Sequence, residues 1–130
     1  MARFIVVLLA ACSLAAAADN KRYVTEVNGK ELFLAHCASC HGPDGKGAGP
    51  TAAALKTKPT DLTRLSRQNK GKFPYDAVER TILGASPLAP HGSREMPVWG
   101  PAFSEVYFDR DLSKVRVKNV TEFIASLQVK

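Results

Sequence analysis

The chain has 130 residues, of which 45% are apolar and 23% are charged, and its formal net charge is +6. This composition is ordinary for one soluble globular domain and excludes collagen-like, disordered and multi-domain proteins. Because only one segment is long and uncharged, it also excludes a polytopic membrane protein. The three cysteines are too few for a small disulfide-stapled scaffold, and their odd number leaves one unpaired.

Residues 1–18 have the pattern of a secretory signal peptide. A short start with one positive charge at Arg3 precedes an uncharged run from Phe4 to Ala18, which passes from bulky residues into alanine. The small residues before Asp19 suit cleavage by signal peptidase. We therefore expect an exported, periplasmic protein from which residues 1–18 are removed.

A second interpretation of this segment is a lipoprotein signal. Leu9-Ala10-Ala11-Cys12 resembles a bacterial lipobox, in which Cys12 is acylated and becomes the first residue of the mature chain. The sequence leaves the soluble and the lipid-anchored forms open. Membrane contact is expected only if Cys12 is lipidated or if a redox partner lies in the membrane. In either form, the third cysteine is explained outside the folded domain.

The remainder is expected to form a lead-in over residues 19–28 and one domain over residues 29–130. Caps and apolar spacing predict four helices: Gly29–His36 with Asn28 as N-cap, Pro50–Lys56, Pro74–Leu83 ending at Gly84, and Ser113–Val129. Residues 59–72 are predicted to be a polar loop, and residues 86–101 a proline-rich loop. No alternating strand pattern is present, which favours an all-α fold.

The segment Cys37-Ala38-Ser39-Cys40-His41 has the C-x-x-C-H pattern of a c-type haem attachment site. Two thiols at this spacing can each add to one vinyl group of a haem, and the imidazole that follows can ligate the iron. A zinc site would need further ligands at paired spacing, and the mature chain has no other cysteine. A thioredoxin-like motif would follow a strand, whereas helical residues precede this one. A structural disulfide remains an alternative.

Met96 is the candidate for the second axial ligand of the iron. The chain has two methionines, and Met1 leaves with the signal peptide. Four prolines stiffen residues 87–101 around Met96, which helps a weak iron–thioether bond to persist. His91 and His36 are the rival ligands.

Together these motifs resemble the monohaem class I cytochromes c. The resemblance extends from Gly29 to Leu127 and rests on Gly29-x-x-Leu32-Phe33-x-x-x-Cys37-x-x-Cys40-His41, Gly49-Pro50, Met96-Pro97 and Val120-x-x-Phe123-Ile124. It implies an all-α fold wrapped around one covalently bound haem c. It also implies that Gly29 and Phe33 cross Phe123, that the carbonyl of Pro50 accepts the Nδ1–H of His41, and that Trp99 packs near the haem.

Iron saturated by His41 and Met96 favours an electron carrier without a substrate pocket. Its positive charge would steer it to acidic docking surfaces on redox partners, whereas export argues against a nucleic-acid partner. One alternative is a haem peroxidase or small-ligand sensor with a displaceable distal ligand. In such a protein, His91, Arg94 and Glu95 would be the acid–base residues near the iron. Another is a cytochrome subunit of a larger dehydrogenase or oxidase.

Overall fold

The computed structural model of the protein describes residues 27–85, 96–106 and 110–129. The predictions made for the signal segment with Cys12, and those for His91, Arg94 and Glu95, lie outside these residues. Within the described residues the chain is helical and contains no strand, which confirms the all-α prediction. The same residues contain no helix that is both long enough and apolar enough to span a bilayer.

The described helices are α1 (Gly29–His36), α2 (Ala38–His41), α3 (Leu65–Gln68), α4 (Tyr75–Leu83), α5 (Trp99–Val106) and α6 (Arg110–Ser126). Two 3₁₀ turns, η1 (Ala52–Ala54) and η2 (Leu62–Arg64), lie between α2 and α3. The longest helix, α6, packs against α1, α4 and α5. The core therefore lies around α6.

The predicted ends of two helices are confirmed by their caps. The side chain of Asn28 accepts hydrogen bonds from the backbone N–H of Lys30 at 3.0 Å and of Glu31 at 3.2 Å, so α1 begins at Gly29. Helix α4 ends at Gly84, which has φ 77° in the left-handed region. A residue without Cβ adopts this conformation at low cost, so the helix stops where the sequence predicts.

Other predicted bounds are wrong, and the causes are local hydrogen bonds. The helix predicted over Pro50–Lys56 is only the single turn η1, because the amide of Thr51 is held on the carbonyl of Ser39 and Leu55 is extended. The polar loop predicted over residues 59–72 contains η2 and α3. The side chain of Asp61 starts η2 by accepting from the amide of Thr63 at 3.0 Å.

The loop predicted over residues 86–101 ends earlier than expected, since α5 begins at Trp99. Pro101 lies in the first turn of α5, where its missing N–H removes no helical hydrogen bond. The last helix, predicted over Ser113–Val129, extends over Arg110–Ser126. Pro101 suggests a continuing loop in the sequence, but it lies inside the first turn of α5.

Helices α1 and α6 cross at close range, as the resemblance implies. The ring centroids of Phe33 and Phe123 are 5.2 Å apart, with the planes tilted by 54°. Leu32, Phe33 and Val120 are fully buried at the crossing. The same interface continues to Ile124, whose side chain reaches the cleft described next.

Candidate functional site

The two cysteines and the histidine of the C-x-x-C-H segment lie on one helical turn. The amide of Cys37 closes α1 on the carbonyl of Phe33 at 2.8 Å. The carbonyl of Cys37 then accepts from the amides of Cys40 at 3.2 Å and His41 at 2.9 Å, which starts α2. This pair of turns joins the attachment segment rigidly to α1.

The two thiols have different surroundings. Cys37 is 9% exposed, and its burial, reinforced by the nearby Cys40 sulfur, raises the pKa of its thiol to about 12. Cys37 therefore lies in the cleft wall as a neutral thiol. The Sγ of Cys40 is 3.2 Å from the hydroxyl of Thr51, which is itself bonded to the carbonyl of Ser39 at 2.8 Å. Both cysteines are free.

The imidazole of His41 is fixed by one backbone carbonyl. Its Nδ1 lies 3.1 Å from the oxygen of Thr60. A carbonyl oxygen can only accept, so Nδ1 carries the proton and Nε2 is left with its lone pair. Burial lowers the pKa of His41, against a smaller opposing effect of the Thr60 bond. The ring is thus held neutral, in the tautomer that can ligate iron through Nε2.

The acceptor of this bond corrects the sequence prediction, which assigned it to Pro50. The glycine-rich segment after His41 turns back so that the amide of Gly49 bonds the carbonyl of Cys40 at 3.0 Å. Pro50 therefore lies exposed beside the attachment helix. The chain reaches the His41 ring only ten residues later, at Thr60.

Gly47 allows the segment that carries Thr60 to pack closely against the loop after His41. Gly47 has φ 79°, and a Cβ at this position would overlap the carbonyl oxygen of Pro59. The amide of Leu62 also donates to the carbonyl of Gly45 at 2.8 Å. The glycine loop and the segment from Pro59 to Leu62 are therefore packed backbone to backbone beside His41.

His41 and Met96 line the same cleft, which has a volume of about 240 Å³. Its walls are mainly apolar and come from α1, η2, α3, α4 and α6: Phe33, Cys37, Thr60, Leu62, Leu65, Pro74, Ala77, Val78, Thr81, Ile82 and Ile124. One imidazole and one thioether thus meet among aliphatic and aromatic side chains, with the thiol of Cys37 in the wall.

This donor set fits a haem. A porphyrin supplies four ligands to its iron and needs one or two more from the protein, which His41 Nε2 and Met96 Sδ can provide. The apolar walls suit the porphyrin faces, and the two cysteines stand next to His41 in the chain. The fit rests on the chemistry of these side chains and on their shared cleft.

Trp99 does not line this cleft. Its indole centroid is 5.4 Å from the ring of His36 and 5.7 Å from that of Phe103. The indole lies at the first residue of α5 and packs on α1, directly before the attachment segment. Burial lowers the pKa of His36, the rival ligand, within this aromatic cluster. The packing of Trp99 against a haem stays a prediction.

The cytochrome c family model matches residues 26–128. The chain belongs to the cytochrome c family. No curated protein and no solved structure shows a significant match to the chain. Membership of the cytochrome c family implies covalently bound haem c and haem-based electron transfer with redox partner proteins, and it accounts for the helical fold around the cleft.

The sequence of this cytochrome c does not point to two residues that shape the surroundings of His41, Thr60 and Gln128. Thr60 acts through its backbone carbonyl, so its side chain gives no signal. The Pro59-Thr60-Asp61 segment could have drawn attention, since an aspartate after a proline turn is a strong cap. Gln128, near the end of the chain, bonds the segment that follows Thr60, and nothing in the sequence links the two.

Proposed function

We propose that this protein is an exported electron carrier with one haem c, bound through Cys37 and Cys40 and ligated by His41 and Met96. The observation that supports it most is that His41 and Met96 line one apolar cleft together with Cys37. When bound, the haem supplies a one-electron change between ferric and ferrous iron. His41 and Met96 would hold the iron, and the apolar cleft walls would limit the access of water to it.

His41 is prepared for this role by the Thr60 carbonyl. A hydrogen bond to the second ring nitrogen fixes the orientation of a ligating imidazole and strengthens it as a donor. Met96, a weak thioether ligand, shifts the balance toward ferrous iron. The two ligands have opposite effects on the reduction potential, so the potential depends on both.

The cleft walls would affect the reduction potential by burying the haem among apolar side chains. Leu62, Leu65, Val78, Ile82 and Ile124 surround the space with low-polarity side chains. A low-dielectric site disfavours the additional charge of ferric iron and raises the potential. With both axial positions filled from the protein, electrons would pass through the haem edge and no substrate would bind the iron.

The partner we propose is a redox protein with an acidic docking surface. Six basic residues are exposed within residues 56–72, the stretch that also gives Thr60 and Leu62 to the cleft wall: Lys56, Lys58, Arg64, Arg67, Lys70 and Lys72. Arg64 is paired with Asp61 at 3.3 Å. Association steered by such charges is fast at low ionic strength and slows as salt is added.

Export is part of this proposal, since c-type haem is attached outside the bacterial cytoplasm. The soluble form would begin at Asp19, and the lipid-anchored form at an acylated Cys12. Mass analysis of the mature N-terminus separates the two. Cys12→Ser would release the protein from membranes only in the second case.

The optical spectra of the oxidised and reduced protein test the proposed function. We expect low-spin, six-coordinate haem in both states, reversible one-electron reduction, and no binding of carbon monoxide to the reduced protein. A high-spin spectrum with rapid ligand binding or peroxide turnover would instead support a haem enzyme or sensor.

A further inference from the structure

The junction between η2 and α3 lacks one helical hydrogen bond. Arg64, at this junction, has φ −111° and ψ 6°, so η2 and α3 do not form one continuous helix. In a continuous α-helix, the amide of Ser66 would donate to the carbonyl of Leu62, four residues earlier. Both groups are bonded to the side chain of Gln128 instead.

The carboxamide of Gln128 takes the place of the missing bond. Its Oε1 accepts from the amide of Ser66 at 2.8 Å, and its Nε2 donates to the carbonyl of Leu62 at 2.7 Å. The same Nε2 donates to the carbonyl of Ile124 in α6 at 2.9 Å. A side chain inserted into a helical ladder is a known cause of kinks, and this one joins the break to the C-terminal helix.

Neighbouring contacts reinforce this junction. The amide of Val129 donates to the carbonyl of Thr63 at 3.0 Å. A Cβ on Gly45 would lie 3.1 Å from the Leu127 side chain, so the end of α6 also closes on the loop after His41. The residues that follow α6 thus contact both backbone segments that frame the His41 ring.

The bent segment leads directly to the His41 hydrogen bond. The Leu62 amide is bonded to Gly45 at 2.8 Å, while the Leu62 carbonyl is bonded to Gln128. Two residues earlier, the Thr60 carbonyl faces His41 Nδ1 at 3.1 Å. If Ser66 and Leu62 bonded each other, Leu62 would rotate, and the Thr60 carbonyl would move with it.

We propose that Gln128 is a positioning residue for His41: by holding the helical break open, it keeps the Thr60 carbonyl on the Nδ1–H of the ring. The inference rests on the proposed function, in which His41 ligates the haem iron. A weaker Thr60 bond makes the imidazole a poorer donor to the iron. Loss of the Gln128 bonds should therefore raise the reduction potential.

Two variants of the full, haem-loaded protein test this role. Gln128→Met keeps the length of the side chain but can neither donate to Leu62 nor accept from Ser66. In the reduced protein, we expect hydrogen exchange of the His41 ring N–H and of the Ser66 amide to become about tenfold faster, because buried hydrogen bonds are lost. The reduction potential should rise in the same sample.

Gln128→Glu adds a pH profile that a purely structural role would not give. A protonated carboxyl group can donate to Leu62 and accept from Ser66 as the amide does, although it lacks the second donor that the amide gives to Ile124, whereas a carboxylate can only accept. We expect wild-type exchange of the His41 ring N–H at acid pH and fast exchange once the carboxyl group ionises. Gln68→Glu, on the exposed face of α3, is the matched control and should show no such profile.

Faster exchange at Ser66 with an unchanged His41 ring N–H and potential would overturn the proposal, since Gln128 would then only stabilise the fold. Unchanged exchange at both groups would overturn it as well. If Gln128→Met does not fold, Gln128→Glu compared between acid and neutral pH decides the question. Failure of the proposed function would be seen first in the wild-type protein, which would then lack covalent haem and the low-spin spectrum. Failure of the Gln128 proposal would leave that spectrum intact.

Discussion

The backbone of Gly29 lies directly against the carbonyl of Asn119, so closely that a Cβ on residue 29 would overlap the carbonyl oxygen. This contact sets the distance between α1 and α6. The side-chain amide of Asn119 also donates to the carbonyl of Val27 at 2.7 Å, which ties the start of α1 to α6. Since α1 leads into the attachment segment and α6 supplies Ile124, the crossing positions two of the elements that line the cleft.

Gly29→Ala should destabilise the protein although alanine favours helices. Alanine gains up to about 1 kcal/mol in helix propensity, but its Cβ meets backbone that cannot rotate away. We expect a net loss of about 3 kcal/mol in the free energy of unfolding, measured in urea. In the control, Gly71→Ala, the added Cβ meets no atom within 4 Å and costs only the strain of a φ of 84°. Equal or greater stability of Gly29→Ala would contradict the close crossing.

Each cysteine should form one thioether. The intact mass of the denatured protein should exceed that of its polypeptide by one haem, and acid–acetone should not extract the haem. Cys37→Ala and Cys40→Ala should each leave a single thioether or lose the haem, with a weaker fold. Ser39→Ala, between them, should keep the wild-type mass gain. Haem that extracts freely from the wild-type protein would show that the thioethers do not form.

Asp61 should make the protein acid-sensitive. A hydrogen bond from the Thr63 hydroxyl, at 2.6 Å, is the main reason that the pKa of Asp61 lies below its usual value. A carboxylate with a lowered pKa stabilises the fold above the pKa of the unfolded chain, and this stabilisation is lost as the pH falls through the folded-state pKa. Asp61→Asn should therefore lose less unfolding free energy than wild type between about pH 5 and about pH 3.

Glu122→Gln, on the exposed side of α6, is the charge-matched control for Asp61→Asn. It should keep the wild-type loss of stability on acidification. An Asp61→Asn variant with the same acid dependence as wild type would show that the Thr63 hydrogen bond does not lower the pKa of Asp61 in the folded protein relative to the unfolded chain.

Met96→Ala should leave one coordination position of the iron free for external ligands. We expect azide to bind the oxidised protein, carbon monoxide to bind the reduced protein, and the reduction potential to fall by on the order of 0.2 V, within the range that axial ligands span. Met96→His should keep six ligands and also lower the potential, because imidazole favours ferric iron more than a thioether does. Val98→Ala and His91→Ala should leave the spectrum unchanged. Loss of the low-spin spectrum in His91→Ala alone would assign the ligand to His91.

Structural features that depend on residues close together in the chain could be predicted from the sequence. Asn28 and Gly84 mark their helix ends because each cap acts within a few residues. The C-x-x-C-H spacing likewise fits on one helical turn. Such features need no knowledge of the folded chain.

The crossing of α1 and α6 was expected only from the family resemblance, and the contacts between distant segments around His41 were not predicted. The acceptor for His41 is 19 residues away, and its position depends on how the glycine loop folds back. The family resemblance points to Pro50 because this residue follows that loop directly in the sequence. The bond between Gln128 and Leu62 spans 66 residues and joins a side chain to a backbone group that any residue could supply. Sequence pattern carries no signal for either.

The methyl resonance of Met96 offers the most direct measurement of haem ligation. Methionine labelled in its methyl group would give a single signal in the mature protein, since the only other methionine is Met1. If Met96 ligates the iron, the ring current of the porphyrin shifts this signal far upfield in the reduced protein, and the shift is abolished when Met96 is displaced. A signal at the ordinary position of a free methionine, in protein with covalent haem, would contradict ligation by Met96.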